Sequence, residues 1–98
     1  MNIKQNREGN KLTVLINGRV DTSTAPELLE QLKEAMKDIE DLVLDLAGVD
    51  YISSAGLRVI LYAQKTMNDQ GSLTLINVNS DIMDTFELTG FTDILTIK

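Results

Sequence analysis

Six consecutive residues, Asp41-Leu42-Val43-Leu44-Asp45-Leu46, narrow the choice of fold more than any other part of this 98-residue chain. The run is apolar at nearly every position, so it lacks the one-sided alternation of a half-exposed strand. It reads as a strand buried on both faces, the habit of parallel sheets flanked by helices. Asp45 interrupts it, and a carboxylate in a buried strand needs hydrogen-bond donors or an opening to water.

The flanking segments fit that setting. Asn2 to Arg7 and Lys11 to Gly18 read as two strands joined through Glu8-Gly9-Asn10, with Leu12, Val14 and Ile16 making one richly apolar face. Asp21-Thr22-Ser23-Thr24 then offers helix-capping side chains, and Pro26 and Glu27 suit a first helical turn. Ala25, Leu28, Leu29, Leu32, Ala35, Met36 and Ile39 recur at helical spacing, opposite Glu30, Lys33, Glu34 and Lys37. A second helix is expected from about Ser54, carrying Leu57, Ile60, Leu61, Gln64 and Met67 and stopping at Asp69-Gln70-Gly71. Ser72 to Val78 reads as a further strand, and Ser80-Asp81 caps a short helix bearing Ile82, Met83, Phe86 and Leu88. Gly90-Phe91 stops that helix, and Ile94, Leu95 and Ile97 make a final short strand. The order β-β-α-β-α-β-α-β predicts a single α/β domain over residues 1–98. Its sheet is mixed and largely parallel, with helices packed against it.

Composition removes several classes of function. Without cysteine or histidine there is no disulfide, no Cys- or His-ligated metal, and no Ser-His-Asp or Cys-His nucleophile. A net charge of −6 and only four aromatic residues make nucleic acid a poor partner. Met1 to Asn6 lacks the apolar stretch of a signal peptide, and no apolar run approaches the ~20 residues that cross a bilayer. The expectation is a soluble, cytoplasmic, non-enzymatic protein with no cofactor, no metal and no inserted membrane segment. An enzyme using Ser54 as nucleophile would have only Lys65 and Arg58 nearby as basic groups, and no G-x-S-x-G turn or phosphate-binding glycine loop is present.

The chemistry that remains gathers where a strand ending in Tyr51-Ile52 runs through Ser53-Ser54-Ala55-Gly56 into a helix. Two hydroxyls stand there at a helix N-terminus, where unpaired N–H groups and partial positive charge favour a phosphate. A serine in that position also serves as a plain N-cap. Asp21 has the same duality, as a cap or as part of a binding surface. Asp45 and Asp50 either shape the field around the serines or bond nearby N–H groups.

Asp45-Leu46-Ala47-Gly48-Val49-Asp50-Tyr51-Ile52-Ser53-Ser54-Ala55-Gly56-Leu57 resembles the core signature of STAS domains, and specifically of bacterial anti-sigma-factor antagonists. Ile16-Asn17-Gly18-Arg19-Val20-Asp21 with Thr24-Ala25 upstream, and Gly71 with Leu88-Thr89-Gly90-Phe91-Thr92-Asp93-Ile94-Leu95 downstream, extend the likeness over essentially the whole chain. The resemblance implies a STAS-like fold and a switch. The unphosphorylated protein binds an anti-sigma factor that is also a serine kinase, releasing a sigma factor. Phosphorylation breaks that complex until a phosphatase reverses it. Aligned on Gly56-Leu57, the acceptor is Ser54, with Ser53 second. Asp21, Thr22, Ser53, Ala55, Gly56 and Arg58 form the implied partner surface. Relatives often carry Asp before the acceptor where this chain has Ser53, and Ser or Thr where it has Ala55. The alternative within the same fold is an accessory or docking subunit of a membrane transporter or other signalling assembly, working without phosphorylation.

Overall fold

A computed structural model describes residues 1–98. Strands β1 (Asn2–Glu8) and β2 (Lys11–Val20) pair antiparallel, with Ile3 opposite Ile16 and Glu8 opposite Lys11. Gly9 makes the turn at φ 63°, a region that glycine enters without steric cost. From β2 the chain passes through α1 (Ala25–Ala35) to β3 (Asp41–Ile52), then through α2 (Ser54–Gln70) to β4 (Ser72–Ile76). Both of these pairings are parallel, and the sheet order is β1-β2-β3-β4. Helix α3 (Ser80–Leu88) and a 3-10 turn at Phe91–Asp93 complete the fold. The molecule is therefore a single α/β domain with a mixed four-stranded sheet and three helices.

Two crossovers step in the same direction along the sheet, and with the right hand that such connections almost always take they put both connecting helices on one face. Leu12, Leu42 and Leu73 align across that face, as do Val14, Leu44 and Leu75, and all six are buried. Leu28 and Leu32 of α1, Ile60 and Met67 of α2, and Ile82 and Phe86 of α3 fill the space above them. No helix is long and apolar enough to cross a membrane.

Three expectations need correction. First, β3 is buried on one face only. Val43 lies between Thr13 and Thr74 on the far side, half-exposed. A single valine among alternating leucines gave the run its continuous apolar look. Asp45 shares that open face, and its Oδ1 accepts from the Ala47 N–H and from Asn77 Nδ2, each at 3.0 Å. Second, the expected final strand shrinks to one parallel bridge between Leu75 and Ile97. The N–H groups of Ile94 and Leu95 both turn back to Phe91 O, which leaves only the last residues to reach β4. Third, Leu88, expected to accompany Ile82 and Phe86, falls off their buried stripe and is 89% exposed.

Candidate functional site

The C-terminal ends of β2 and β3 stay paired to their last residues. Arg19 faces Tyr51, Val20 faces Ile52, and the Ser53 N–H donates to Val20 O at 2.8 Å. The segments that follow, one leading into α1 and the other into α2, therefore leave the sheet side by side. Gly56 is what lets α2 start so close. A Cβ there would lie 2.7 Å from side-chain atoms of both Ile52 and Val20, and 3.0 Å from Val20 O. No other residue fits that space without shifting them.

The two serines separate into distinct roles. Ser53 has extended backbone and is the N-cap, its Oγ accepting from the Gly56 N–H at 3.3 Å. The Leu57 N–H donates to Ser53 O at 2.9 Å. Of the four N–H groups that begin any helix without an intrahelical acceptor, those of Ser54 and Ala55 are left. Ser54 is the first helical residue and is exposed, with its hydroxyl outside the cap. The first turn of α2 holds no acidic residue of its own to complement the positive end of the helix.

Asp21 shapes the neighbouring turn. Its Oδ1 accepts from the Ser23 hydroxyl at 2.7 Å and from the N–H groups of Ser23 and Thr24 at 2.9 and 3.1 Å. The Ser23 hydroxyl chiefly, helped by the backbone donors of Thr24 and Ser23 and by the Thr24 hydroxyl, holds its pKa at about 2 against desolvation, which pulls the other way and outweighs any one of those helpers. Asp21 Oδ2 also lies 3.7 Å from Arg19 Nε, and the Arg19 guanidinium stacks 4.2 Å from the centroid of the Tyr51 ring. A carboxylate that is ionised at neutral pH thus reaches, through Arg19, from the end of β2 to Tyr51 at the end of β3.

Thr22, Ala55 and Arg58 come together along an open groove between α1 and α2, of about 470 Å³, whose walls include Leu29, Val59 and Tyr62. Ser53 and Ser54 stand at its head, next to Ala55. Gly56 faces inward. Lys65, the one lysine considered as a base for Ser54, sits eleven residues along α2, roughly 16 Å away at the helical rise. Asp45 is on the open face of the sheet and Asp50 is exposed near the end of β3, so neither packs against the serines through a hydrogen bond. No three acidic side chains form a metal-binding cluster. Reading the sequence missed Tyr62 and the Arg19–Tyr51 pair. Tyr62 was accessible from spacing, since Ala55, Arg58 and Tyr62 follow one another at i, i+3 and i+7 on a single helix face.

The family model for the STAS domain matches residues 2–98. The chain belongs to the STAS domain family. Among curated relatives, the anti-sigma-B factor antagonist of Bacillus subtilis is 36% identical over 99 residues, covering 100% of this chain and 89% of the relative. Among solved structures, an anti-sigma factor antagonist from Mycobacterium paratuberculosis superposes with a TM-score of 0.89 at 20% identity, over 98% of this STAS domain and 83% of that chain. SpoIIAA, a Bacillus anti-sigma factor antagonist solved in unphosphorylated and phosphorylated forms, gives TM-scores of 0.78 and 0.77 at 10% and 11% identity. Those alignments cover 99% of this STAS domain in each case, and 87% and 91% of SpoIIAA. At such identities the solved structures speak for the fold, and the family match together with the Bacillus relative carries the membership.

Proposed function

We propose that this STAS domain is an anti-sigma-factor antagonist, a regulatory binding protein and not an enzyme, acting in the cytoplasm. Unphosphorylated, it binds an anti-sigma factor that is also a serine kinase and so frees a sigma factor. Phosphorylation of Ser54 by that kinase ends the interaction, and a phosphatase restores it. The observation that carries the reading is the division of labour at the start of α2. Ser53 meets the structural need for a cap, and Ser54 is left exposed with two unused N–H groups and no acid in its turn. The relatives support the regulatory role by name, and one neighbour of the same fold exists in a phosphorylated form.

The switch follows from charge. A phosphate adds about 1.5 to 2 negative charges and three acceptor oxygens at a surface that must fit closely against a partner. Asp21, Thr22, Ala55, Gly56 and Arg58 act with it as the partner-facing end of the domain. Asp21 and Gly56 do so by holding the two helix starts in place, and Thr22, Ala55 and Arg58 by lining the groove.

Binding of the purified anti-sigma kinase to wild type, Ser54→Ala and Ser54→Asp, followed by calorimetry, tests the reading. Wild type and Ser54→Ala are expected to bind alike and Ser54→Asp much more weakly. Equal binding of all three, or capture of transporter subunits in place of a kinase by wild type and Ser54→Asp alike, would sink it.

A further inference from the structure

The groove between α1 and α2 has a pattern of its own. Its walls are apolar, and the single charged side chain lining it is Arg58. Arg58 is exposed and has no acidic partner, since the ion pairs of the molecule use Arg19, Lys33 and Lys37. Beside Tyr62, Lys33 reaches over from α1, its Nζ 5.6 Å from the centre of the Tyr62 ring and 3.9 Å from Glu30. Tyr62 itself stays 41% exposed. A chain of net charge −6 therefore puts one unpaired cation, Arg58, in an otherwise apolar trough.

We propose that this groove docks a short amphipathic helix of the anti-sigma partner, one that carries a carboxylate among its apolar side chains and pairs it with Arg58. The proposal rests on the antagonist reading above and names the surface it uses. Charge decides the occupant. A purely apolar segment would cover Arg58 and leave it unpaired, which is costly, and a basic segment would meet Arg58 with like charge. The groove runs from Ala55 to Tyr62, two helical turns, which suits anchors at i, i+3, i+4 and i+7 of a docked helix. Tyr and Arg are the side chains that most often dominate binding at such surfaces.

The same geometry gives the regulation a route. Ser54 and Arg58 are four residues apart on α2, so their side chains are neighbours on one face. A phosphate on Ser54 competes with the partner's carboxylate for the Arg58 guanidinium. Phosphorylation then removes the one cation that discriminates the docking segment, in addition to adding bulk and charge.

Two synthetic helical peptides test this without the partner itself. They share length and leucine anchors and differ only in a flanking Glu or Lys. Titrated into isotope-labelled protein, the Glu peptide is expected to shift the amides of Leu29, Ala55, Val59 and Tyr62. It should bind roughly tenfold more tightly than the Lys peptide, the effect of one partly desolvated charge pair. Arg58→Glu, an exposed change that leaves the melting temperature near wild type, should reverse that preference, and Ser54→Asp should weaken the Glu peptide severalfold. Shifts that fall outside the groove, a preference that survives Arg58→Glu, or self-association through these amides without peptide would each overturn the proposal. Failure of the antagonist reading shows separately, as equal binding of the kinase to wild type and Ser54→Asp.

Discussion

Helices α2 and α3 begin in nearly the same way, and the contrast between them locates the switch. Each has a polar N-cap accepting from the third helical N–H, and each has an exposed serine at its first position: Ser53 and Ser54 in α2, Asn79 and Ser80 in α3. There the likeness ends. In α3 the cap bond is 2.9 Å, Asn79 Nδ2 also donates to Val49 O at 3.0 Å, and Asp81 already sits in the first turn. In α2 the cap bond is 3.3 Å, the first turn has no acid, and the terminus borders a groove with an unpaired arginine. A serine at the head of a capped helix is thus not enough to make a phosphate site. What distinguishes Ser54 is a helix end with no acid in its first turn, beside a groove lined by an unpaired arginine.

The comparison can be broken at its third helical position, where α2 has Gly56 and α3 has Ile82. Ile82→Ala removes a side chain that is 2% exposed and is expected to cost about 2 to 5 kcal/mol in urea unfolding. Gly56→Val does the reverse, forcing methyls onto Val20 and Ile52, and is expected to cost about 1 to 3 kcal/mol and to lower Tm. A Gly56→Val protein as stable as wild type would mean that α2 does not need its close approach.

Smaller changes sharpen the contrast between the caps. Asn79→Ala should cost about 1 to 2 kcal/mol and more than Ser53→Ala, because it also strips a donor from Val49 O. Equal losses would show that the two termini are held alike. Asp81→Asn should cost about 0.3 to 1 kcal/mol by removing the charge that complements α3, with the loss shrinking as salt is added.

The smallest effect concerns pH. Asp21 has a folded pKa of about 2, below its ordinary 3.8, so the stability it contributes is full above pH 4 and is lost as pH falls through about 2. In acid titrations followed by circular dichroism, Asp21→Asn should lose less stability than wild type between pH 4 and 2. Parallel acid curves for the two proteins would contradict the turn geometry.

Much of this was legible in the residues. The hairpin, both crossover helices and the stop of α2 follow from periodicity and from Gly9, Pro26 and Gly71, because those signals act locally, whereas α1 ends at Ala35, short of the spacing that ran on to Ile39. Burial of β3 was misjudged because one residue, Val43, is apolar whether or not a layer covers it, and only the sheet order reveals that both helices share a face. The last strand was lost to a competition that residue types do not display, with Ile94 and Leu95 closing a turn onto Phe91 instead of extending. At the site, the serines and the glycine that matters stood out in the chain. Which serine caps did not, since either could accept from a nearby N–H until the backbone of Ser53 is seen to be extended. The groove was hidden because Leu29 and Tyr62 come from helices that only the tertiary fold brings together.

The most direct test is to incubate the protein with its anti-sigma kinase and ATP and to locate the phosphate by mass spectrometry of proteolytic peptides. The account predicts phosphate on Ser54, none on Ser80, and none anywhere in Ser54→Ala. Phosphate on Ser53 or Ser80, or its persistence in Ser54→Ala, would contradict the claim that the start of α2, capped by Ser53 but without an acid in its first turn, is the switch.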